Sequence, residues 1–473
     1  MLAVPYAVSE CGYVVGVVLL ICGGVASAFA LHLLVLCSKK INVEPTSFYA
    51  VANAAVPKLT FLIDLAVAIK CFGVATSYLI VVGDLVPDAV GVIVGNADID
   101  GGALMDRRLW ISVFFIGIVV PLSCLRSLNS LRFTAVISVF IVWSITLIVS
   151  SYAWFPSSIA GNVCPIGIEC HGIVQPFNLT LTTLKISTIF IFGYTCHQNI
   201  FAVCNELRHN TQARLDRVIY SAIAISMSVY LCMAISGYHT FGNKTHPNIL
   251  TNYSASNVIM AVARLLVAVN VSFCFPLQCH PCRNSILELV AQYKSYTYTS
   301  HTQSTISTNK RAVHIKAKPS DADAQLAALT NNHYTTSVKN ERSPLLSRSN
   351  NNSSVELKEM DVESGTKQSN NNDASNINKW KASELQISVL TGVITILSFT
   401  ISMMVSNLGT VLAVVGATGS TTISYILPGL CYIKLHSQWN IKRILAGILL
   451  SAGLIIVPSS LSFIFILPGA VAH

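Results

Sequence analysis

The run Gly193-Tyr194-Thr195-Cys196-His197-Gln198-Asn199 follows an apolar stretch that starts near Phe190 and is long enough to enter a bilayer. Lipid offers hydrogen bonds to none of these groups, so the run must face protein or a water-filled cavity. A histidine at such depth is a site by default, and an unperturbed pKa of about 6.5 lets it take and release a proton near neutrality. Gly193 allows the helix to open, which frees backbone groups for a ligand. The alternative is an intact helix whose polar residues bond to neighbouring helices. Two further ionisable groups, Asp64 and Lys70, lie in another apolar segment. Their spacing puts them on different helix faces, so each needs a partner on another helix or access to water. The expectation for Lys70 is a carboxylate elsewhere in the bundle, with attraction of an acidic substrate as the alternative. The chain contains no nucleophile–base pair at membrane depth, no CxxC pair and no His/Cys cluster with metal spacing. No catalytic residue, metal or other cofactor is therefore expected, and an enzyme is the weakest reading.

The elements that position these residues are membrane helices. The chain is 53% hydrophobic and only 11% charged, a composition that indicates an all-α polytopic membrane protein in contact with the lipid bilayer. The net charge of +9 comes from basic residues in loops, where they set topology, so nucleic acid is not an expected partner. After a short apolar fragment at 1–11, ten spans are expected near 12–37, 58–86, 109–125, 133–154, 184–203, 218–241, 256–277, 385–405, 408–433 and 444–468. The stretch 279–383 is rich in Ser, Thr, Asn, Lys and Glu, cannot bury a core and is expected to be a disordered loop. It divides the chain into a membrane core at 1–278, the loop, and a second membrane part at 384–473.

Charge and modification signals orient the bundle. Arg126 and Arg132, then Arg208, Arg214 and Arg217, then Lys434, Lys442 and Arg443 occupy alternate loops, which are therefore cytosolic, as is the long polar loop. The opposite loops hold Asn-x-Ser/Thr sequons at Asn178, Asn243 and Asn252. They also hold Cys164 and Cys170, which would form a disulfide in an oxidising lumen; two free thiols are the alternative. In the polar loop, Glu341-Arg-Ser-Pro-Leu345-Leu346 is similar to an acidic dileucine signal, which a clathrin adaptor reads to route membrane proteins to lysosomes or vacuoles.

Several stretches together resemble the auxin/amino acid permease family, of the type found in vacuolar amino acid transporters and related to system A/N neutral amino acid transporters. They are Leu2-Ala-Val-Pro-Tyr-Ala7, Lys70-Cys-Phe-Gly-Val-Ala-Thr-Ser-Tyr-Leu79, Tyr194-Thr-Cys-His-Gln-Asn199, Gly237-Tyr-His-Thr-Phe-Gly242, His280-Pro-Cys-Arg283 and Val415-Gly-Ala-Thr-Gly-Ser420. They cover nearly the whole membrane part, in the family's order. The resemblance implies a LeuT-like fold, with two inverted repeats of five helices around a midplane site and an eleventh helix outside. Helices one and six are broken in that fold, and their half-helix ends suit the charges of a free amino acid. The implied substrate-binding residues are Ala3, Phe72, Ser77, Phe192, Gly193, Tyr194 and Thr195. His197, Asn270 and Ser272 are the implied coupling positions, with a proton preferred over Na+ as the coupling ion.

One departure stands out. The family's first helix has a Gly-x-Gly-like opening just before its Leu-x-x-Pro-Tyr-Ala stretch, and Met1 stands where that opening ends. The resemblance therefore implies an N-terminally truncated first helix. The expectation is a fragment or mis-started reading frame, inactive as it stands, with an apolar half-helix encoded upstream. The reading is a proton-coupled secondary amino acid transporter working by alternating access in the vacuolar or lysosomal membrane, with the plasma membrane as alternative location. The rival is a sensor that binds an amino acid without moving it and signals through its cytosolic loop.

Overall fold

Segments that are apolar on every side become helices because, in lipid, the backbone must satisfy its own hydrogen bonds. The computed structural model describes residues 1–94, 103–124, 132–156, 163–164, 169–180, 182–316 and 383–466. In chain order the helices are α1 (Val4–Cys11), α2 (Tyr13–Ile41), α3 (Phe48–Ala55), α4 (Thr60–Val94), α5 (Arg107–Phe114), α6 (Val120–Ser123), α7 (Arg132–Trp154), α8 (Thr182–Gly193), α9 (Ile200–Glu206), α10 (Gln212–Phe241), α11 (Val258–Lys316), α12 (Glu384–Met404), α13 (Leu408–Val415), α14 (Leu427–Leu435) and α15 (Ile441–Ile466). Among the described residues, 8 helical stretches are long and apolar enough to cross a membrane. The other two expected spans are helical but interrupted: α5 reaches α6 through a π turn at Phe115–Val119, and α8 is separated from α9.

Helix ends carry local signals. Asn42 closes α2 in the left-handed conformation, and its N–H donates to the Ser38 carbonyl. Ser383 and Gln386 form a reciprocal capping box at the start of α12. Asn407 caps α13 through Thr410 N–H. Between α1 and α2 the chain turns at Gly12, whose φ of 83° suits glycine and few other residues. The segment 175–178 closes over this turn: Tyr13 N–H donates to Gln175 O, Val14 N–H to Pro176 O, and Asn178 N–H to Cys11 O.

The chain divides into two units. One comprises Met1–Val290 and Ala382–His473, the other Ala291–Lys381. In the first, α1 packs on α2, α8 and α10, while α4 packs on α5, α12 and α13. Between α13 and α14, two π turns at Gly416–Ser420 and Thr422–Ile426 press against α4 and α8. Gly416 sits so close that a Cβ there would come within 2.6 Å of Thr188 O. In the second unit only the end of α11 is described. The boundary read at 279 falls inside a helix. Residues 279–290 continue α11, and Cys279, His280 and Cys282 are buried, so the apolar face outlasts the change in average composition. Glu341, Leu345 and Leu346 lie outside the described residues.

On the side assigned to the lumen, Cys164 and Cys170 are joined in a disulfide. Both thiols of the cluster Cys164, Cys170 and His171 are thereby consumed, which leaves no three-ligand metal set there. The three sequon asparagines differ in access. Asn243 is exposed and Asn178 half-buried, whereas Asn252 is buried. The Asn252 amide nitrogen, the atom a glycan would take, donates to Lys244 O at 2.8 Å.

Candidate functional site

Helix α8 ends because its last turn is satisfied locally. Thr195 Oγ1 donates back to Ile191 O at 2.7 Å, Thr195 N–H donates to Phe192 O, and Cys196 N–H donates to Tyr194 O. A short 3-10 turn at His197–Asn199 then leads into α9. The helix is thus open across 194–196. The freed carbonyls are not bare, however. Tyr230 Oη donates to Gly193 O at 2.8 Å, and Ser27 Oγ donates to Tyr194 O at 3.1 Å. Each carbonyl keeps a second lone pair for another partner.

Beside this break lies a cavity of about 210 Å³. Ala3 and Val4 of the α1 start, Ser77, Tyr78 and Val81 of α4, Phe192 and Gly193 of α8, and Asn270 and Cys274 of α11 line it, with Leu408 and Leu412 of α13. Its one buried acceptor without a hydrogen-bond partner, among the described residues, is Asn270 Oδ1. The walls are otherwise mostly apolar, as small-molecule sites usually are.

The structure therefore brings Ala3, Ser77, Phe192, Gly193 and Asn270 together on one cavity. Phe72, Tyr194, Thr195, His197 and Ser272 are not on its wall. Helix geometry accounts for two of them: Phe72 lies 140° around the helix from Ser77, and Ser272 lies 200° from Asn270. Ser272 Oγ instead donates to Ala268 O in its own helix. The Tyr194 ring turns into the niche left by Gly23 and Gly24 and packs on Tyr230 at 5.2 Å between ring centroids. Tyr78, in the motif stretch 70–79, also lines the cavity, and Val81, Val267, Val271 and Cys274 are wall residues outside the expected set. The signal that finds them is helical spacing: 267, 271 and 274 share one face with Asn270, and 78 and 81 flank Ser77 on the cavity side.

A second polar cluster is buried nearby. His197 is fully buried, with Ser424 Oγ 3.1 Å from its Nδ1, and Ser424 Oγ also donates to Thr195 Oγ1 at 3.2 Å. Lys70 is 2% exposed, and its Nζ donates to Gln278 Oε1 at 3.3 Å. Among the described residues no carboxylate forms an ion pair with it, contrary to the expectation. The two ion pairs among the described residues join His32 to Asp216 and Arg107 to Asp84. Asp84 pairs with Arg107, the first residue of α5, and stands nearly four turns along α4 from Lys70.

The comparisons with known proteins agree with the sequence resemblance. A family model for transmembrane amino acid transporter proteins matches residues 1–467. The chain is 32% identical over 438 residues to vacuolar amino acid transporter 6 of Saccharomyces cerevisiae, covering 92% of this chain and 86% of that one. It is 33% identical over 304 residues to vacuolar amino acid transporter 5 of Schizosaccharomyces pombe, covering 64% and 68%. Sodium-coupled neutral amino acid transporter 7 of Homo sapiens is more distant, at 26% over 282 residues, covering 56% and 58%. An interrupted helix beside a cavity, carried on a chain matched almost from end to end, places this protein in the transmembrane amino acid transporter family, whose members are transporters rather than enzymes.

Proposed function

We propose that this protein is a secondary active transporter that moves an amino acid across the vacuolar membrane by alternating access, coupled to protons. The observation that carries the reading is the cavity at the α8 break, with the unpartnered Asn270 Oδ1 on its wall. The C-terminal end of α8 bears partial negative charge and reaches the cavity at Gly193, so it suits an ammonium group, with Asn270 Oδ1 as a further acceptor. The N-terminal turn of α1 reaches the same cavity at Ala3 and Val4 and suits a carboxylate. Together they match a zwitterion, and the apolar remainder is left for the side chain. This is the arrangement a LeuT-like fold would use, with α8 and α9 as the two halves of a broken helix. The vacuolar location is supported by the names of the yeast relatives.

The test is uptake of a radiolabelled amino acid panel into vesicles containing the purified protein. Accumulation driven by a proton gradient, unaffected by replacing Na+ with choline, is the expected result. Binding with no flux would instead identify a sensor. Accumulation that needs a Na+ gradient would transfer the coupling to sodium, as the name of the human relative states for that protein.

Sorting is tested separately. Replacing Leu345 and Leu346 by alanine is expected to move a fluorescently tagged protein from the vacuole toward the cell surface, because a clathrin adaptor needs both leucines. Unchanged vacuolar fluorescence would make the motif accidental.

A further inference from the structure

We propose that the buried Lys70 side-chain amine carries the coupled proton. This rests on the reading of the chain as a proton-coupled transporter. Lys70 is among the largest fully buried side chains, and Gly419 lies directly against its Cβ, leaving no space for a side chain there. Its Nζ donates to the neutral Gln278 Oε1, and no carboxylate forms an ion pair with it among the described residues.

Arg264 shows how this molecule treats a permanent buried charge. Its guanidinium donates to Leu250 O at 3.3 and 3.0 Å and to Tyr253 O at 2.8 Å, with Asp88 in electrostatic range. Lys70 has only the Gln278 amide oxygen, with no ion-paired carboxylate among the described residues. A buried ammonium with a single neutral acceptor is poorly stabilised, and a lysine, unlike an arginine, can give up its proton.

The titratable neighbours are consistent with a site for one proton. Cys71 on the same helix and Cys196 and His197 at the α8 break stand within electrostatic range, and none of them is a carboxylate. Protonating both Lys70 and His197 would set two like charges in a buried space, so one proton excludes the other. Gln278 ties the site to the cavity, since it hydrogen-bonds Tyr78, which lines the cavity beside Ser77. Cys196 and His197 tie it to the break itself. Loading Lys70 holds Gln278, and unloading frees it, in contact with the helices that must move. One N–H bond forms with a proton taken from water on the acidic side and breaks to water on the other, and no other bond changes.

The experiment uses the full chain in vesicles with a tritium-labelled mixture of the protein amino acids. It compares accumulation driven by a proton gradient with counterflow exchange, which needs no net proton movement. Lys70→Gln is expected to lose gradient-driven accumulation by about tenfold or more, while exchange persists. Gln278→Glu keeps the lysine and supplies the missing carboxylate, which holds the ammonium charged. It is expected to flatten the pH dependence of uptake without disturbing the packing at Gly419. Gradient-driven accumulation by Lys70→Gln at the level of the unsubstituted protein overturns the proposal. So does a pH profile unchanged in Gln278→Glu, or loss of gradient dependence in His197→Asn but not in Lys70→Gln. Failure of the unsubstituted protein to exchange or accumulate any amino acid overturns the transport reading itself, and this inference with it.

Discussion

Gly193→Leu abolishes amino acid uptake in vesicles, by at least about 100-fold, while the protein remains folded and inserted. Gly193 is both the last residue of α8 and part of the cavity wall. A Cβ added there meets Tyr230 Cε2 at 3.6 Å, an ordinary contact, so the backbone tolerates a side chain. Replacing glycine in a helix by a residue with a Cβ favours the folded state by roughly 0.5–1 kcal/mol if anything. The extra atoms of leucine, however, extend into the space beside Phe192 and Asn270 that the substrate would fill. Gly193→Ala, which adds only the tolerated Cβ, is expected to keep most of the activity. Uptake by Gly193→Leu at the rate of the unsubstituted protein would remove the site from the α8 break.

Arg264→Leu gives the largest loss of stability. Arg264 is 0% exposed, and its guanidinium ties the 250–253 segment to α11 through the Leu250 and Tyr253 carbonyls. Leucine leaves both carbonyls without their charged donor and removes the cation within range of Asp88. Removing one partner from a buried, compensated charge costs about 3–5 kcal/mol. Equilibrium unfolding in mixed micelles should read that difference. Arg264→Lys should fall between, because a point charge on a flexible stem cannot serve two carbonyls as a planar fork does. A free energy within about 1 kcal/mol of the unsubstituted protein in the leucine variant, the size of an average substitution, would show that the clamp is dispensable.

Every expected span contains helix, because a run of apolar residues long enough to cross lipid has no other way to satisfy its backbone. The break after Gly193 was also legible, since seven polar or small residues in a row cannot continue an apolar span, and Thr195 supplies the side-chain bond that ends α8. Ala3, Ser77, Phe192, Gly193 and Asn270 line one cavity; of these, Ala3 and Ser77 stand within the family motifs.

What the sequence could not decide was direction. Tyr194 adjoins Gly193, yet it faces Gly24 and Tyr230 instead of the cavity. Phe72 and Ser272 share motifs or helices with true wall residues and point elsewhere, because a residue's neighbour in a helix is turned 100° away. The boundary at 279 failed for a related reason: composition averages over all faces of a helix, whereas Cys279 and Cys282 are buried on one of them. Lys70 is the clearest case. Its charge and depth are plain in the sequence and require a partner, but the partner's identity depends on which helix lies opposite. Composition and apolar run length by themselves determined a helical membrane protein and the order of its helical segments, since these depend on local backbone satisfaction. Only the packing of α4 against α11 and the two π turns decided that Lys70 faces a glutamine rather than a carboxylate, because contacts between residues 208 positions apart are made by tertiary structure and are not encoded in any local pattern.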